Sequence, residues 1–410
     1  PAVEPEPAPL HPCCTRIACH RAKASREANA GPGRRVSPGL DEIGSSGATL
    51  SRMPRVAIAG AGPAGAVLAH VLARRGLDVT LVERQRDFAR EFRGEALMPS
   101  GVDVLRQIGL GDRFDALPRR IPEAVEIHRD GRLVARAAFP GAGDGAPQLT
   151  SQPPLLEMLV AEGARFPGFR FVRGQAVRDL VSDGGRVRGV VHGDGEQIEA
   201  DLVVGADGRT SVVRRRAGLH VERDPEQFDV VWFKVPLPDY LIARGHPVSA
   251  FLGRGHFAIG FATPDDRLQL GWVVDKGGFP HLRERGIDAW VEEMAGHVSD
   301  ELAVHLRAHR GALEHPFVLD VVCDRMPRWS APGVLLVGDA AHPMSPVAGQ
   351  GLNIALRDAV VAANHLVETL CRTTDPEAID AACAAVKLES EPEVGWVQRI
   401  QRAGTTGMLQ

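Results

Sequence analysis

Short apolar runs alternate along the chain with segments whose apolar residues recur every three to four positions, which predicts strands and helices in turn. Residues 55–59 (RVAIA) and 78–82 (DVTLV) have the length and composition of buried strands. Between them, apolar residues repeat with the period of a helix at Val67, Leu68, Val71 and Leu72. Pro63 suits the first turn of this helix, where a missing N–H costs little, and Gly76 is predicted to end it.

Downstream of this unit the pattern predicts two β-rich regions and several further helices. A hairpin is predicted around the turn at Asp130 and Gly131, with strands at 124–128 and 133–139. A meander of short strands is expected at 169–204, and a second β-rich region at 228–275. Single strands are predicted at 317–322 and 334–337, and helices where Val102, Leu105 and Ile108 share a face and at 153–164, 210–216, 287–309 and 351–370.

A glycine-rich turn joins the first predicted strand to the first helix. Gly60, Gly62 and Gly65 form a G-x-G-x-x-G pattern, which lets backbone amides and the helix N-terminus approach a pyrophosphate. Glu83 ends the second strand, where an acidic side chain can accept hydrogen bonds from a ribose diol. This context predicts a dinucleotide site without a 2′-phosphate, but it does not distinguish NAD from FAD.

The composition excludes several other classes of protein. The 410 residues are 44% hydrophobic and 24% charged, with a formal charge of −4, so global disorder, a coiled coil and a nucleic-acid-binding charge excess are all excluded. No segment has the roughly 18 apolar residues of a membrane span. Cys323, Cys371 and Cys383 stand at wide spacings, and the tail cluster of Cys13, Cys14 and Cys19 fits no common zinc pattern. Neither a disulfide framework nor a metal site is therefore predicted, and a reducing cytoplasm is the expected compartment.

The first 53 residues are rich in Pro, Ala, Gly and Ser and lack apolar periodicity. This composition predicts a disordered tail, with the folded unit starting near Met53.

Two further motifs lie far from the glycine turn in the sequence. They are GADGRTSVVRR at 205–215 and GDAAHPMSPVAGQGLN at 338–353, and the turn itself reads GAGPAG at 60–65. In this order and spacing, the three motifs resemble those of the FAD-dependent single-component aromatic hydroxylases, the group A flavoprotein monooxygenases with a p-hydroxybenzoate hydroxylase-like fold. The resemblance extends from about Arg55 to the C-terminus and implies that the dinucleotide is FAD.

The resemblance implies FAD contacts in and between the three motifs. In this sequence the matching residues are Gly60, Gly62, Ala64, Gly65, Glu83, Arg93, Gln152, Val177, Asp207, Asp339, Gly349, Gly351, Leu352 and Asn353. The family pattern places Asp339 and Gln152 at the ribityl chain. It places the backbone of Val177 at the adenine and Arg93 at the FAD side of the pocket. Asp207 matches an aspartate associated with the pyrophosphates, but a carboxylate repels phosphate, so we expect it to organise its turn through hydrogen bonds.

The third motif also supplies the one candidate catalytic residue. The resemblance places Pro346 near the isoalloxazine, where it shapes the oxygen-reaction pocket or stiffens the loop. Residues 349–351 open a helix whose amides and dipole can stabilise negative charge on reduced flavin. Arg209 and residues 214–216 are expected either to attract the phosphates of a nicotinamide cofactor or to form a solvated basic helix. His342 is expected to pack its loop rather than act as a base.

These elements predict an α/β (α+β) fold with a discontinuous Rossmann-like FAD-binding domain, an inserted β-sheet substrate domain and C-terminal helices. The FAD-binding domain is assigned to 54–122, 148–225 and 324–370. The substrate domain takes 123–147 and 226–323, and a C-terminal helical segment takes 371–410.

By resemblance, NADH or NADPH reduces FAD, O₂ forms a C4a-hydroperoxide, and an aromatic, phenolic or polyketide-type molecule of secondary metabolism is hydroxylated. The tyrosines with which p-hydroxybenzoate hydroxylase deprotonates its phenol have no counterpart, because Tyr240 is the only tyrosine. Either another residue handles that proton or the substrate is already activated.

Several alternatives stay open. A quinone-pathway hydroxylase or a geranylgeranyl-reductase-like flavoprotein fits the third motif, and an FAD-binding protein without turnover is the alternative from another class. A flavin-dependent halogenase is disfavoured because its W-x-W-x-I-P segment is missing, and a plain NAD dehydrogenase would not need residues 338–353.

Overall fold

The computed structural model of the chain describes residues 52–89, 95–139, 145–224, 226–253 and 255–409. The predicted disorder of residues 1–53 lies outside these ranges except for Arg52 and Met53. Arg93, one of the predicted FAD contacts, also lies outside them.

The described strands are numbered in chain order. They are β1 (Arg55–Ala59), β2 (Asp78–Glu83), β3 (Ala96–Leu97), β4 (Ala124–Arg129), β5 (Arg132–Ala138), β6 (Gln148–Leu149), β7 (Phe169–Arg173), β8 (Val177–Asp183), β9 (Arg186–His192), β10 (Glu196–Glu199), β11 (Leu202–Gly205), β12 (Phe228–Pro236), β13 (Val248–Gly253), β14 (His256–Ala262), β15 (Arg267–Asp275), β16 (Glu314–Leu319), β17 (Ser330–Ala331) and β18 (Val334–Leu336).

The described α-helices are α1 (Pro63–Arg74), α2 (Pro99–Gln107), α3 (Gly111–Asp115), α4 (Gln152–Gly163), α5 (Val212–Arg216), α6 (Asp239–Ala243), α7 (Phe279–Glu284), α8 (Ile287–Ala295), α9 (Asp300–Ala308), α10 (Gly351–Arg372) and α11 (Pro376–Leu409). Short 3₁₀ turns occur at Arg310–Ala312, Gly338–Ala340 and Val347–Gly349.

One sheet has the strand order β17-β18-β11-β1-β2-β7, and its strands run parallel except for the β17–β18 pair. In chain order its parallel strands read 3-2-1-4-5, which is the order of a doubly wound dinucleotide-binding sheet. The order reverses between β1 and β11, so the loops after these strands leave toward opposite faces. A crevice for a ligand forms at such a reversal, at the carboxyl edge of the sheet.

The centre of this sheet is buried on both faces, because β1 from Val56 onward and all of β11 consist of buried apolar residues and glycine. Val56 and Ile58 of β1 point into one hydrophobic cluster, and the alternating Ala57 and Ala59 point into another. The first cluster contains residues of α1, α2, α4 and α10, and the second contains residues of β9, β10 and β18. Helix α11 contributes its first half to the first cluster and its second half to the other.

A second, seven-stranded sheet has the order β16-β12-β15-β14-β13-β4-β5 and is antiparallel except for the β13–β4 pair. Val231, Phe233 and Val235 of β12 point into a core that α8 and α9 complete, and the rings of Phe233 and Trp290 lie 5.1 Å apart. Because strand side chains alternate, Lys234 points to the opposite face of the sheet. That face is directed away from α8 and α9.

The predicted α/β (α+β) fold is confirmed, and most predicted elements form within one or two residues of their expected bounds. The predicted meander at 169–204 is wrong in part, because only β8, β9 and β10 form an antiparallel sheet. Strands β7 and β11 join the parallel sheet instead. A short apolar run has the same pattern in both kinds of sheet, so the sequence did not separate them.

Two further differences concern the second half of the chain. The single helix predicted at 287–309 is two helices, because Gly296 ends α8 and the hydroxyl of Ser299 caps α9 by accepting from the Leu302 N–H. Strand β13 was not predicted as a separate strand. Within the described ranges, no helix has the length and apolarity that would let it cross a bilayer.

Candidate cofactor site and active site

The loops that follow β1, β11 and β18 meet at the carboxyl edge of the parallel sheet. The Gly60 N–H donates to the Val82 carbonyl at 2.8 Å, and the Ala206 N–H donates to the Ala59 carbonyl at 2.8 Å. The Val337 N–H donates to the Gly205 carbonyl at 3.0 Å. The three sequence motifs, far apart in the chain, therefore start from adjacent strand ends.

The three glycines of the first motif are needed for different reasons. Gly60 has φ +101°, and a Cβ on it would lie 2.7 Å from the Ala206 carbonyl carbon. A Cβ on Gly65 would overlap the Gly60 carbonyl oxygen and lie 3.1 Å from the Ala206 Cβ. Gly62 differs, because a Cβ there would meet no atom of the described residues within 4 Å. The protein packing requires Gly60 and Gly65, whereas Gly62 keeps open the space in front of the N-terminus of α1.

Glu83 is buried and supports this turn directly. One carboxylate oxygen accepts from the Ala61 N–H at 2.9 Å, and the other accepts from the Gln85 N–H at 2.9 Å. The carboxylate therefore holds the turn in shape at the end of β2.

Asp207 binds the start of α5, the helix that begins inside the second motif and whose N-cap is Ser211. Its carboxylate accepts from the N–H groups of Val212 and Val213, at 2.7 and 3.1 Å, and from the Ser211 hydroxyl. These contacts agree with the expected role as an organiser of the turn. Arg214 is buried in the same region and donates to the carbonyls of Ala340 and Arg209, so it ties the second motif to the third.

Asp339 lies in the 3₁₀ turn that follows β18, and its side chain is 36% exposed. Arg209 Nε lies 3.4 Å from its carboxylate, and another guanidinium nitrogen of Arg209 donates to the Asp320 carbonyl. Asp339 is thus accessible at the strand end while the buried Arg214 is not. Arg209 precedes α5 and Arg214 is buried within it, whereas Arg215 and Arg216 of the same helix are exposed, as a solvated basic helix would have them.

His342 is buried and packs its loop, as expected. Its Nε2 bonds to the carboxylate of Asp358, which also accepts from the Gly338 N–H at 2.9 Å. The His342 ring lies 4.9 Å from the ring of Trp329. The Asp358 carboxylate raises the pKa of His342 against the opposing effect of burial.

The loop that carries Pro346 is held from the C-terminal helix. The buried side-chain amide of Gln401 donates to the carbonyls of Ser345 and Val347, at 2.8 and 3.0 Å. Ala348 then adopts φ +62° and Gly349 φ +60°. A left-handed alanine is strained, so these hydrogen bonds help to fix a costly backbone shape next to the start of α10.

Helix α10 begins with a second glycine that faces open space. Among the residues that the structure describes, none has an atom within 4 Å of a Cβ placed on Gly351. The buried Asn353 links the start of this helix to β3 and the residue after it. Its amide oxygen accepts from the Met98 N–H at 2.8 Å, and its amide nitrogen donates to the carbonyls of Gly349 and Ala96. The side chain of Asn353 thus shapes the site from behind.

The remaining predicted contacts occupy supporting positions. Gln152 is buried at the start of α4, and Leu352 is buried in the first turn of α10. Ala64 is buried in the first turn of α1. Val177 begins β8, next to Gln175, whose N–H donates to the Glu83 carbonyl at 2.9 Å.

Sequence reasoning missed a polar cluster between β3 and the seven-stranded sheet. Glu95, directly before β3, is buried, and Lys234 Nζ of β12 lies 3.7 Å from its carboxylate. The side-chain amide nitrogen of Gln269, turned toward Glu95, donates to both carboxylate oxygens at 3.2 and 2.9 Å. Burial raises the pKa of Glu95 to about 7. The only sequence signal was an acidic residue inside the apolar-flanked segment GEALMP at 94–99.

An FAD molecule fits the residues that are present. Two helix N-termini, those of α1 and α10, are each fronted by a glycine that leaves room for a ligand. Such termini favour negative charge, as on a pyrophosphate or a reduced flavin ring. Among the described residues, no group of three or more His, Cys, Asp or Glu side chains is arranged to hold a metal ion.

Comparison with known proteins gives a consistent result. The family described as "FAD binding domain" matches residues 53–388. A 6-methylpretetramide 4-monooxygenase of Streptomyces rimosus is 36% identical over 82% of this chain and 81% of its own length. The 3-amino-4-hydroxybenzoate 2-monooxygenase PtmB3 of Streptomyces platensis is 32% identical over 76% of this chain and 79% of its own.

The fold is shared with a solved structure. PqsL of Pseudomonas aeruginosa, crystallised with 2-aminobenzoylacetate, superposes with a TM-score of 0.77 at 24% identity. The match covers 87% of this chain and 97% of PqsL.

Proposed function

Because the chain belongs to the FAD-binding domain family and is an FAD-dependent aromatic monooxygenase, we propose that it uses NADH or NADPH to hydroxylate a phenolic, polyketide-type ring. Bound FAD supplies the redox chemistry that activates O₂ for transfer to the ring. The protein contributes binding, orientation and exclusion of water.

The main support for the proposed site comes from Gly62 and Gly351, the two glycines at the N-termini of α1 and α10 that leave room for a ligand. The α1 terminus at Gly62 would receive the pyrophosphate, with Glu83 at the adjoining ribose. The α10 terminus at Gly351 would receive the flavin ring, where its amides favour developing negative charge. Asp339, exposed at the strand end between them, is placed to accept from the hydroxyls of the ribityl chain. Pro346, on the loop before α10, would limit the space on the oxygen-reacting side.

The seven-stranded sheet is proposed as the substrate side of the site. Its face opposite α8 and α9 carries Lys234, which reaches Glu95 in front of α10. Substrate and flavin must meet between this face and the parallel sheet. This assignment retains the predicted division into an FAD-binding domain and a β-rich substrate domain.

The proposed substrate class follows from the relatives. The similar S. rimosus protein is named for 6-methylpretetramide and the S. platensis protein for an amino-hydroxybenzoate. The first similarity is stronger and covers more of both chains, so it favours a larger, polyketide-type ring. Tyr240 is not suited to deprotonate it, because burial raises the pKa of this tyrosine to about 12.

The test is oxygen transfer by the purified, FAD-loaded protein. Polycyclic phenols and amino-hydroxybenzoates would be added with NADH or NADPH under ¹⁸O₂. The expected result is faster oxidation of one nicotinamide cofactor with one compound, together with a product heavier by one labelled oxygen. Reduction of a substrate double bond without label would favour a reductase. Absence of both stimulation and label across the panel would refute the proposal.

A further inference from the structure

Glu95 lies where the two halves of the proposed site meet. Its own carbonyl accepts from the Thr150 N–H at 2.8 Å, and the carbonyl of the next residue, Ala96, accepts from Asn353 of α10. These bonds fix its backbone beside the opening turn of α10. Its side chain points away from this anchor to Lys234 and Gln269 of the seven-stranded sheet.

The contacts of Glu95 form a path to solvent. The Glu95 side chain is 6% exposed, Lys234 is 22% exposed and Asp265 is 56% exposed. Lys234 Nζ lies 3.7 Å from the Glu95 carboxylate and 3.6 Å from that of Asp265. A movement of less than about 1 Å on either side would make each contact a direct hydrogen bond.

The charges around Glu95 set its proton affinity. Burial favours the neutral form and raises its pKa to about 7, with Lys234 lowering the pKa and Asp265 raising it. Two arginines flank the same turn, but Arg120 bonds to Asp266 and the Thr263 carbonyl, and Arg267 bonds to the Lys234 carbonyl. A base acts best when its pKa is near the working pH, and Glu95 meets this condition.

We propose that Glu95, Lys234 and Asp265 form a proton relay that deprotonates the phenolic substrate and passes the proton to solvent. The proposal rests on the proposed function. The Glu95 carboxylate takes the hydroxyl proton, leaving a phenolate whose ring is more electron-rich toward oxygen transfer. The Lys234 ammonium takes the proton from Glu95 and in the same step gives one of its own protons to water at the exposed end of the path, so the lysine stays charged throughout. The Asp265 carboxylate stays ionised, because Thr263 and Lys234 lower its pKa, and it holds the ammonium at the solvent side.

The relay predicts opposite shifts in the pH dependence of kcat. Asp265→Asn removes a charge that raises the pKa of Glu95, so the acidic limb moves to lower pH. Lys234→Met removes a charge that lowers it, so the limb moves to higher pH. Asp266→Asn, one residue away and paired with Arg120, is the matched control and leaves the limb in place. Glu95→Gln lowers kcat at least tenfold and abolishes the limb, while Glu95→Asp retains it at reduced kcat.

A second measurement does not depend on turnover. The infrared band of the protonated Glu95 carboxyl is titrated in the FAD-loaded protein without substrate. We expect a band that titrates near pH 7, is lost in Glu95→Gln, and moves with Asp265→Asn and Lys234→Met in the directions given above. Flavin content, measured from visible absorbance, verifies that each variant is loaded.

The outcomes separate this proposal from the proposed function. If no aromatic compound supports oxygen incorporation by the wild type, the proposed function fails. If the wild type hydroxylates its substrate but Glu95→Gln keeps the wild-type kcat and pH profile, the relay is wrong. Shifts of equal direction in Asp265→Asn and Lys234→Met would also overturn it, because a purely structural disturbance has no reason to follow the sign of the charge.

Discussion

The two open glycines make a prediction that separates ligand binding from folding. Gly62→Ala adds a single methyl group at a residue with φ −71° and ψ −179°, a backbone shape that alanine adopts readily. Within the described part of the chain, no atom lies within 4 Å of the added carbon. The apoprotein should therefore keep its stability, or gain about 0.4–1 kcal/mol from the lower entropy of the unfolded chain.

The same methyl group occupies the space proposed for the pyrophosphate. If it displaces one charge-assisted hydrogen bond from the backbone, the loss is about 1.5–3 kcal/mol. At about 1.4 kcal/mol per factor of ten, FAD should bind about ten- to hundredfold more weakly.

Gly65→Ala is the matched control within the same motif. Its methyl group would overlap the Gly60 carbonyl oxygen, so the turn or the helix must move. Overpacking of this kind costs about 1–3 kcal/mol, and the apoprotein should unfold at lower temperature.

Two measurements on the apoproteins test whether Gly62 affects FAD binding and Gly65 affects folding. Thermal unfolding reports stability, and quenching of FAD fluorescence during titration reports affinity. We expect Gly62→Ala to lose affinity alone and Gly65→Ala to lose stability. Wild-type FAD affinity in Gly62→Ala would refute the placement of the pyrophosphate, and equal destabilisation of both variants would refute the distinction between the glycines.

Three further predictions concern other parts of the chain. Gln401→Ala removes two hydrogen bonds to the loop around Pro346, so we expect the apoprotein to lose about 1–2 kcal/mol and more peroxide to form per nicotinamide oxidised; unchanged coupling would contradict this. Burial lowers the pKa of His70 to about 4, so between pH 6.5 and 4 the unfolded chain binds a proton that the folded chain does not. As the pH falls from 6.5 to 4, the free energy of unfolding should therefore decrease by up to about 3 kcal/mol. In urea titrations, His70→Leu should make the free energy of unfolding less dependent on pH in this range. The Tyr240→Phe variant should hydroxylate its substrate within about twofold of the wild-type rate. A tenfold loss would instead indicate that Tyr240 takes the proton from the substrate.

The sequence predicted the parallel core well because the local pattern and the tertiary environment agree there. Strand β1 is apolar from Val56 onward, and the alternation of Val56 and Ala57 into opposite clusters needs nothing beyond burial on both faces. Strands β7 and β11 were harder, since a run such as LVVG fits a meander or a parallel sheet equally. Their tertiary pairing decides the question, because β11 pairs with β1 and β18, and β7 pairs with β2, all in parallel.

The candidate site was predictable as far as motifs extend, and not beyond. The three glycines of the first motif look equivalent in the sequence, yet Gly62 alone of the three faces space that the described residues leave empty. Asn353 was predicted as a cofactor contact, but its side chain bonds to Met98 and Ala96, a link that no local pattern encodes. Glu95 and Lys234 likewise meet only because two sheets pack against each other.

The end of the chain shows how a distant segment can shape a local motif. The third motif supplies Pro346, but the motif alone does not hold Ala348 at φ +62°, a conformation that costs about 1–2 kcal/mol. The two hydrogen bonds from the buried Gln401 contribute about the same amount, and Gln398 adds a bond to the Pro343 carbonyl at 3.3 Å. Helix α11 is therefore part of what fixes the loop before α10, so a chain cut before residue 398 should lose the loop geometry even where the FAD-binding motifs are intact.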